Sequence, residues 1–488
     1  MTVLLVPPGE DATLEVVDAE RERLDLGEAL RRRVLEPSAL EAAAAAQERL
    51  ETPAGLRGAL LLRVAAALSG STQLHPRLRG LGAALAGLTQ ADALRFRLDD
   101  VELDAGSTER SGDVLAALAR GPVLFGPELT LALDAAGERG PVELVLERDQ
   151  QLPFVLALAQ RLPARDFVLH GAFARQHAPA LRTVFAFARS FEVHPEPVAL
   201  AIRGGGLRWV RPGGVPTTEP WAGPVKAREL FAPVPALEGC RVAVVGVCAL
   251  TAGVLFEDGS GLPREVLDAR VQALAARGVR VVAEWVVGAP SVEESLLGPT
   301  LEAFLTGRPP FSWLAGVRAF HWPRAEAGPA WKERGARLEP EGDPASDLAR
   351  NHRFIAEGTL TGVGLAARME SLAVALLAAR VLSPGRVAEA YVQEPPRLQP
   401  GEGTAFRIAP ESCVVQLARG LDGKPGPASY ALNLRTGGTF ALDPRIGARF
   451  PPRGQAFTDL QLSGPAAAKA QQLLLALQSR GILEACTP

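Results

Sequence analysis

Between residues 13 and 70, apolar positions recur every three or four residues. Val16, Leu24, Leu26, Leu30, Leu35 and Leu40 are separated by charged residues, a spacing that predicts helix. The run Ala42 to Ala46 favours helix by propensity. Pro53 and Gly55 separate it from a second apolar helix, which residues 69–76 end. From about residue 112 the pattern shortens. Residues 115–118 read as helix, 123–125 and 142–146 as strands, 152–162 as helix, 167–170 as strand and 178–189 as helix. Alternation of this kind with short connections predicts an α/β layer around a parallel sheet. Residues 198–202 and 207–210 flank Gly204, Gly205 and Gly206 and predict a hairpin. Residues 212–235 are rich in Pro and Gly and read as a linker.

A second α/β segment follows. Strand is expected over 242–247, 279–287 and 315–320, and helix over 264–277, 293–305 and 363–382, with a polar loop at 324–350. Another Pro-rich linker lies at 395–400. The last part shows strands near 413–417 and 430–442, then a helix over 465–480. The resulting divisions are a mostly helical region (1–110), a Rossmann-like domain (111–215), a second α/β domain (236–390) and a small α+β module (401–488).

Charge adds chiefly exclusions. A formal net charge of −3 and a pI near 6.2 give no basic field that would attract nucleic acid or anionic lipid. The N-terminus lacks the basic, apolar layout of a signal peptide, and the most apolar stretch is broken by Arg57 and Arg63, so no membrane partner is expected. Four scattered cysteines, Cys240, Cys248, Cys413 and Cys486, form no disulfide framework, and a cytoplasmic location is expected.

Over residues 237–323 the strings LEGCRVAVVGVCALTAGVLF, LDARVQALAARGVRVVAEWVVGAP and AGVRAFHWP resemble, in order and spacing, the late strands of a radical SAM barrel. Upstream, DFVLHGAF and VALAIRGGGLRWVRPGG resemble the cobalamin-binding-type domain often fused before such barrels. The departures from the family are specific. Its activity requires a CxxxCxxC cradle whose three thiolates hold an iron–sulfur cluster, and this chain has none. Cys248 and Ala249 stand where the family has glutamate and serine, Ser291 replaces a turn glycine, and no DxHxxG cobalamin string is present. No iron–sulfur cluster and no cobalamin are therefore expected. At the C-terminus, YALNLRTGGTFALD and LLLALQSRGIL resemble PqqD-type peptide-binding modules, which implies strand addition by a peptide, with Asn433 and Arg435 available to contact it.

Glu284, Trp285, His321 and Trp322 lie towards the ends of predicted strands, where barrel active sites collect. If strands 242–247, 279–287 and 315–321 are parallel neighbours, Glu284, Trp285 and His321 would share a cavity; packing explains the tryptophans as well. His170 ends another predicted strand and His177 lies in the turn that follows, where open sheets bind ligands, although a structural histidine fits there too. Cys240 and Cys248 read as core residues.

The expected fold is α/β: a Rossmann-like layer plus a truncated (β/α) radical SAM-like barrel, with a helical N-terminus and a small α+β C-terminal module. The expected function is a catalytically degenerate binding or scaffold subunit in peptide or natural-product modification. Its partner would be a protein or peptide, an active radical SAM enzyme or a second copy. The alternatives are an enzyme of another chemistry at a Glu284/His321 cavity, or a protein binding a cobalamin-like small ligand. A barrel short of its first strands would expose sheet edges, and the helices within 13–70 and 363–382 are the expected covers.

Overall fold

A computed structural model describes residues 3–486, except 10–11, 18–20, 72–73, 91, 99, 121–123, 204–205, 211–218, 233–236, 291, 307–310, 324–328, 340–345, 380, 382–404, 435–437 and 463–464. Two sheets form its centre. The first has five strands in the spatial order Arg23–Asp25, Leu4–Val6, Val142–Val145, Asp166–His170, Ser190–Val193, and every pairing is parallel. By order along the chain this is 2-1-3-4-5, a doubly wound arrangement whose switch point lies between Leu4–Val6 and Val142–Val145. Two of the five strands come from the region expected to be helical. LLV and RLD are three residues long, too short for any period to register, yet Leu4, Leu5 and Val6 are all buried. The division at residue 110 therefore runs through one sheet. Helices do follow, at Leu26–Val34, Pro37–Glu48, Pro53–Ser69 and Leu74–Leu88.

The second sheet is a curled, half-barrel sheet of nine strands. At its heart Cys240–Leu250, Arg280–Val287 and Leu314–Ala319 run parallel as neighbours, with helices Arg264–Ala275 and Leu297–Leu305 between them in sequence. Alternation along Cys240–Leu250 sends Ala243, Val245 and Val247 into a core with Leu267, Val271, Leu297 and Phe304. Val242 and Val244 point the other way, into a core shared with Leu4 and Val6 of the first sheet.

The supposed linker at 212–235 contributes a strand, Trp221–Pro224, parallel to Cys240–Leu250. It escapes a sequence reading because Trp-Ala-Gly-Pro has no β-branched residue. Gly223 passes so close to the Val210 backbone that a side chain there would collide with it. Beyond it lie the expected hairpin, Leu200–Ile202 with Arg208–Trp209, and then Leu14–Val16. Strands, rather than the N-terminal helices, thus continue this edge of the half-barrel. The helix Gly362–Ala378 packs towards the opposite side, with Leu372 and Leu376 buried beside Leu314.

Several smaller expectations change. Leu124 and Phe125 form a turn before the helix Gly126–Ala136 rather than a strand, because Gly126 and Pro127 start that helix. The helix expected over 178–189 stops at Val184, and that over 293–305 begins with a 3-10 turn at Glu294–Leu296. The polar loop contains a helix, Pro329–Glu333, anchored by buried Trp331. The linker at 395–400 lies outside the described residues.

In the C-terminal module, strands Ser412–Leu417, Ala428–Asn433 and Gly438–Leu442 form an antiparallel sheet, and Ala405–Ile408 pairs with Leu483–Cys486. One face of the three-stranded sheet packs on helix Pro53–Ser69; the other meets helix Pro465–Ser479. Asn433 is buried, and its Nδ2 donates to the Arg480 carbonyl at 2.8 Å, tying the sheet to the end of that helix. Asn433→Ala should therefore cost about 1–2 kcal/mol in urea unfolding, the range for stranding a buried hydrogen-bond partner. A peptide-contact role alone would leave stability unchanged.

Candidate functional site

The strands carrying Glu284, Cys248 and Arg318 are adjacent and parallel, as the sequence suggested, but Glu284 and Trp285 do not share one space. Glu284 and Trp285 are successive residues of one strand and so face opposite sides of the sheet. Glu284 sits in register between Gly246 and Gly316. These two glycines leave space on the inner face for three charged groups. Arg318 Nε donates to Glu284 Oε2 at 2.9 Å and its Nη2 donates to Glu257. Burial would lower the Arg318 pKa, but the two carboxylates hold it above the ordinary value. Cys248, on the same face, is fully buried, and that burial, with Glu257 adding to it, holds its thiol well above the usual range. Cys240 and Cys413 are buried as well, each with its thiol pushed up to about 12 by desolvation. These thiols pack as small hydrophobes rather than acting as nucleophiles.

Trp285 is fully buried on the outer side, its ring 5.5 Å from that of Phe304. Trp322 is buried in a separate cluster with Phe320 and Trp331, and its ring lies 6.1 Å from that of Phe354. His321 is exposed beyond the end of strand Leu314–Ala319, and the Asn351 amide approaches its Nδ1 at 3.3 Å. Each of the four residues has its own surroundings. Arg435 lies outside the described residues.

At the switch point of the first sheet, the crevice is bridged by the protein's own side chains. Gln151 Nε2 donates to the Pro7 carbonyl at 3.2 Å, and its Oε1 accepts from the Glu147 amide at 2.6 Å. Gly9, at φ +105°, lets the first loop approach the Gln150 backbone so closely that a Cβ would come within 2.6 Å of its carbonyl oxygen. The segment around residue 350 crosses this end: Arg350 pairs with Asp149, and its carbonyl accepts from Gln176 Nε2 at 3.1 Å. His177, buried next to Phe173 with ring centroids 4.4 Å apart, belongs to this packed end.

His170, although buried, lines a cavity. This cavity of about 410 Å3 lies between the sheets, lined by Leu4, Val16 and Val17, by Arg21, His170, His194 and Arg208, and by Glu196 to Ala199. Behind it, His170 Nε2 lies 3.0 Å from Glu143 Oε2, and Arg21 pairs with the same carboxylate. Desolvation first, with His194 and Arg21, lowers the His170 pKa against the opposing pull of Glu143. The His170 and His194 rings lie 4.7 Å apart at 31°. Arg21, Glu143, His194 and Arg208 were not singled out from the sequence. The available signals were a glutamate inside the apolar strand VELV and two histidines at the ends of successive parallel strands.

Comparison with protein-family models finds no match, and neither does comparison with the curated proteins.

Proposed function

We propose that this chain is a binding subunit rather than a catalyst: a degenerate relative of cobalamin-type radical SAM enzymes serving peptide or natural-product modification. The observation that carries this reading is the half-barrel itself. Three parallel strands with intervening helices follow the order of the resembling strings, while their chemistry-bearing positions are given over to packing. Glu284 neutralises Arg318, Cys248 fills the core, and Trp285 lies on the far face. The pairing of Glu284 with Arg318 weighs against the enzyme alternative at Glu284 and His321. The bridging of the switch point by Gln151 weighs against a large cobalamin-like ligand there.

The partner side of the proposal rests on the C-terminal module. Strand Gly438–Leu442 stands last in the three-stranded sheet, beside Ala428–Asn433, and a peptide strand added to the module would extend the sheet from there. Hydrogen–deuterium exchange of the full chain, with and without peptides encoded beside its gene, tests this. Slower exchange over residues 438–442 with one such peptide is the expected result. Unchanged exchange with all of them would remove the peptide partner from the account.

A further inference from the structure

The inter-sheet cavity plays no part in the scaffold reading, and its lining is chemically asymmetric. Glu143 Oε2 lies 3.0 Å from His170 Nε2 and Arg21 Nη1 lies 3.3 Å from the same nitrogen; with the carboxylate as the nearer partner, we assign the proton to Nε2, which leaves Nδ1 as the acceptor of the neutral ring. His194 has the opposite polarity. Its Nδ1 accepts from the Glu196 amide at 3.3 Å, which puts the proton on Nε2, a donor. Arg208 engages Glu219 through Nε, and its guanidinium carries further donors on both Nη atoms. Of the two guanidiniums that line the cavity, Arg21 pairs with Glu143 behind the wall and Arg208 with Glu219, and Glu196 adds a carboxylate on exposed chain. Apolar Val16 and Val198 form another part of the wall. The volume falls within the roughly 300–1,000 Å3 typical of small-molecule sites.

We propose that this cavity binds a small hydroxylated anion, a hydroxycarboxylate or a sugar phosphate, with its charged end on Arg208 and His194 and a hydroxyl donated to His170 Nδ1. A bare anion would use the donors but leave His170 Nδ1 unpaired, whereas a ligand with a neighbouring hydroxyl satisfies both. A site built around a hydroxyl discriminates against ligands that lack one. The inference stands apart from the scaffold proposal, and either can fail alone.

Isothermal titration of the full chain with inorganic phosphate, ribose 5-phosphate and citrate tests it. Ribose 5-phosphate or citrate should bind at least about tenfold more tightly than inorganic phosphate. The tighter of the two identifies a phosphate or a carboxylate source. Arg208→Gln and His194→Gln should each weaken binding by about tenfold with an unchanged circular dichroism spectrum. His170→Leu should abolish the preference for the hydroxylated ligand while keeping affinity for phosphate. If Arg208→Gln fails to fold, Arg208→Lys, which keeps the charge but loses the planar fork, supplies the same readout. Absence of binding by all three probes, equal affinity for inorganic phosphate and its hydroxylated counterparts, or native affinity in the folded Arg208 and His194 variants would overturn the proposal.

Discussion

Arg318→Met is expected to lower the unfolding free energy by about 3 kcal/mol, the low end of the range for removing one partner of a buried ion pair. The reason is geometric. Gly246 and Gly316 flank Glu284 on the inner face, and Glu257 reaches across Gly246, so two carboxylates meet on one guanidinium. The Arg318 side chain is 16% exposed and that of Glu284 13%, which leaves little water to replace the lost partner. Glu257, at 33%, retains some solvation, hence the low end of the range. Adding Glu284→Gln to Arg318→Met should restore part of the loss, because one stranded charge disappears with it. Urea unfolding measures both. A loss below about 0.5 kcal/mol for Arg318→Met, the size of an ordinary surface substitution, would show that the triad contributes nothing to the half-barrel.

Trp285→Ala should cost about 3–5 kcal/mol, the usual penalty for emptying a buried aromatic site. Trp285 has no exposed surface and packs with Phe304 beneath helix Leu297–Leu305. Its indole Nε1 is buried without a hydrogen-bond partner among the described residues. Trp285→Phe, which removes that unmatched donor while keeping most of the ring, should therefore stay within about 1 kcal/mol of the native protein. The pair of variants separates packing from ligand binding. A ligand-facing tryptophan would tolerate alanine in unfolding experiments and lose only binding.

Much of the second sheet was legible because its strands are long and β-branched. RVAVV and RVVAEWVV announce buried parallel strands, and the helix between them has clear apolar spacing. The strands that escaped notice are three or four residues long and draw their burial from neighbours: Leu4–Val6, Leu14–Val16 and Trp221–Pro224. Pairings such as Leu4 with Glu143, or Leu14 with Ile202, join positions more than a hundred residues apart, and no local period records them. The candidate site followed the same division. His170 could be selected from its place at a strand end. Its partners Arg21, Glu143 and His194 lie on three other segments, and only the sheet order brings them together. Glu284 and Trp285 could not share a cavity for a simpler reason: a strand alternates, so successive residues face opposite sides.

The proposed function makes this chain a radical SAM-like framework that works without radical chemistry. The most direct measurement is iron and sulfide content, with the ultraviolet–visible spectrum, after anaerobic reconstitution of the full chain. The expected result is no stoichiometric iron and no thiolate-to-iron absorption, because a cluster of this type needs a three-cysteine cradle that the sequence does not contain. Incorporation of about four irons per chain, bleaching on reduction, would contradict the account.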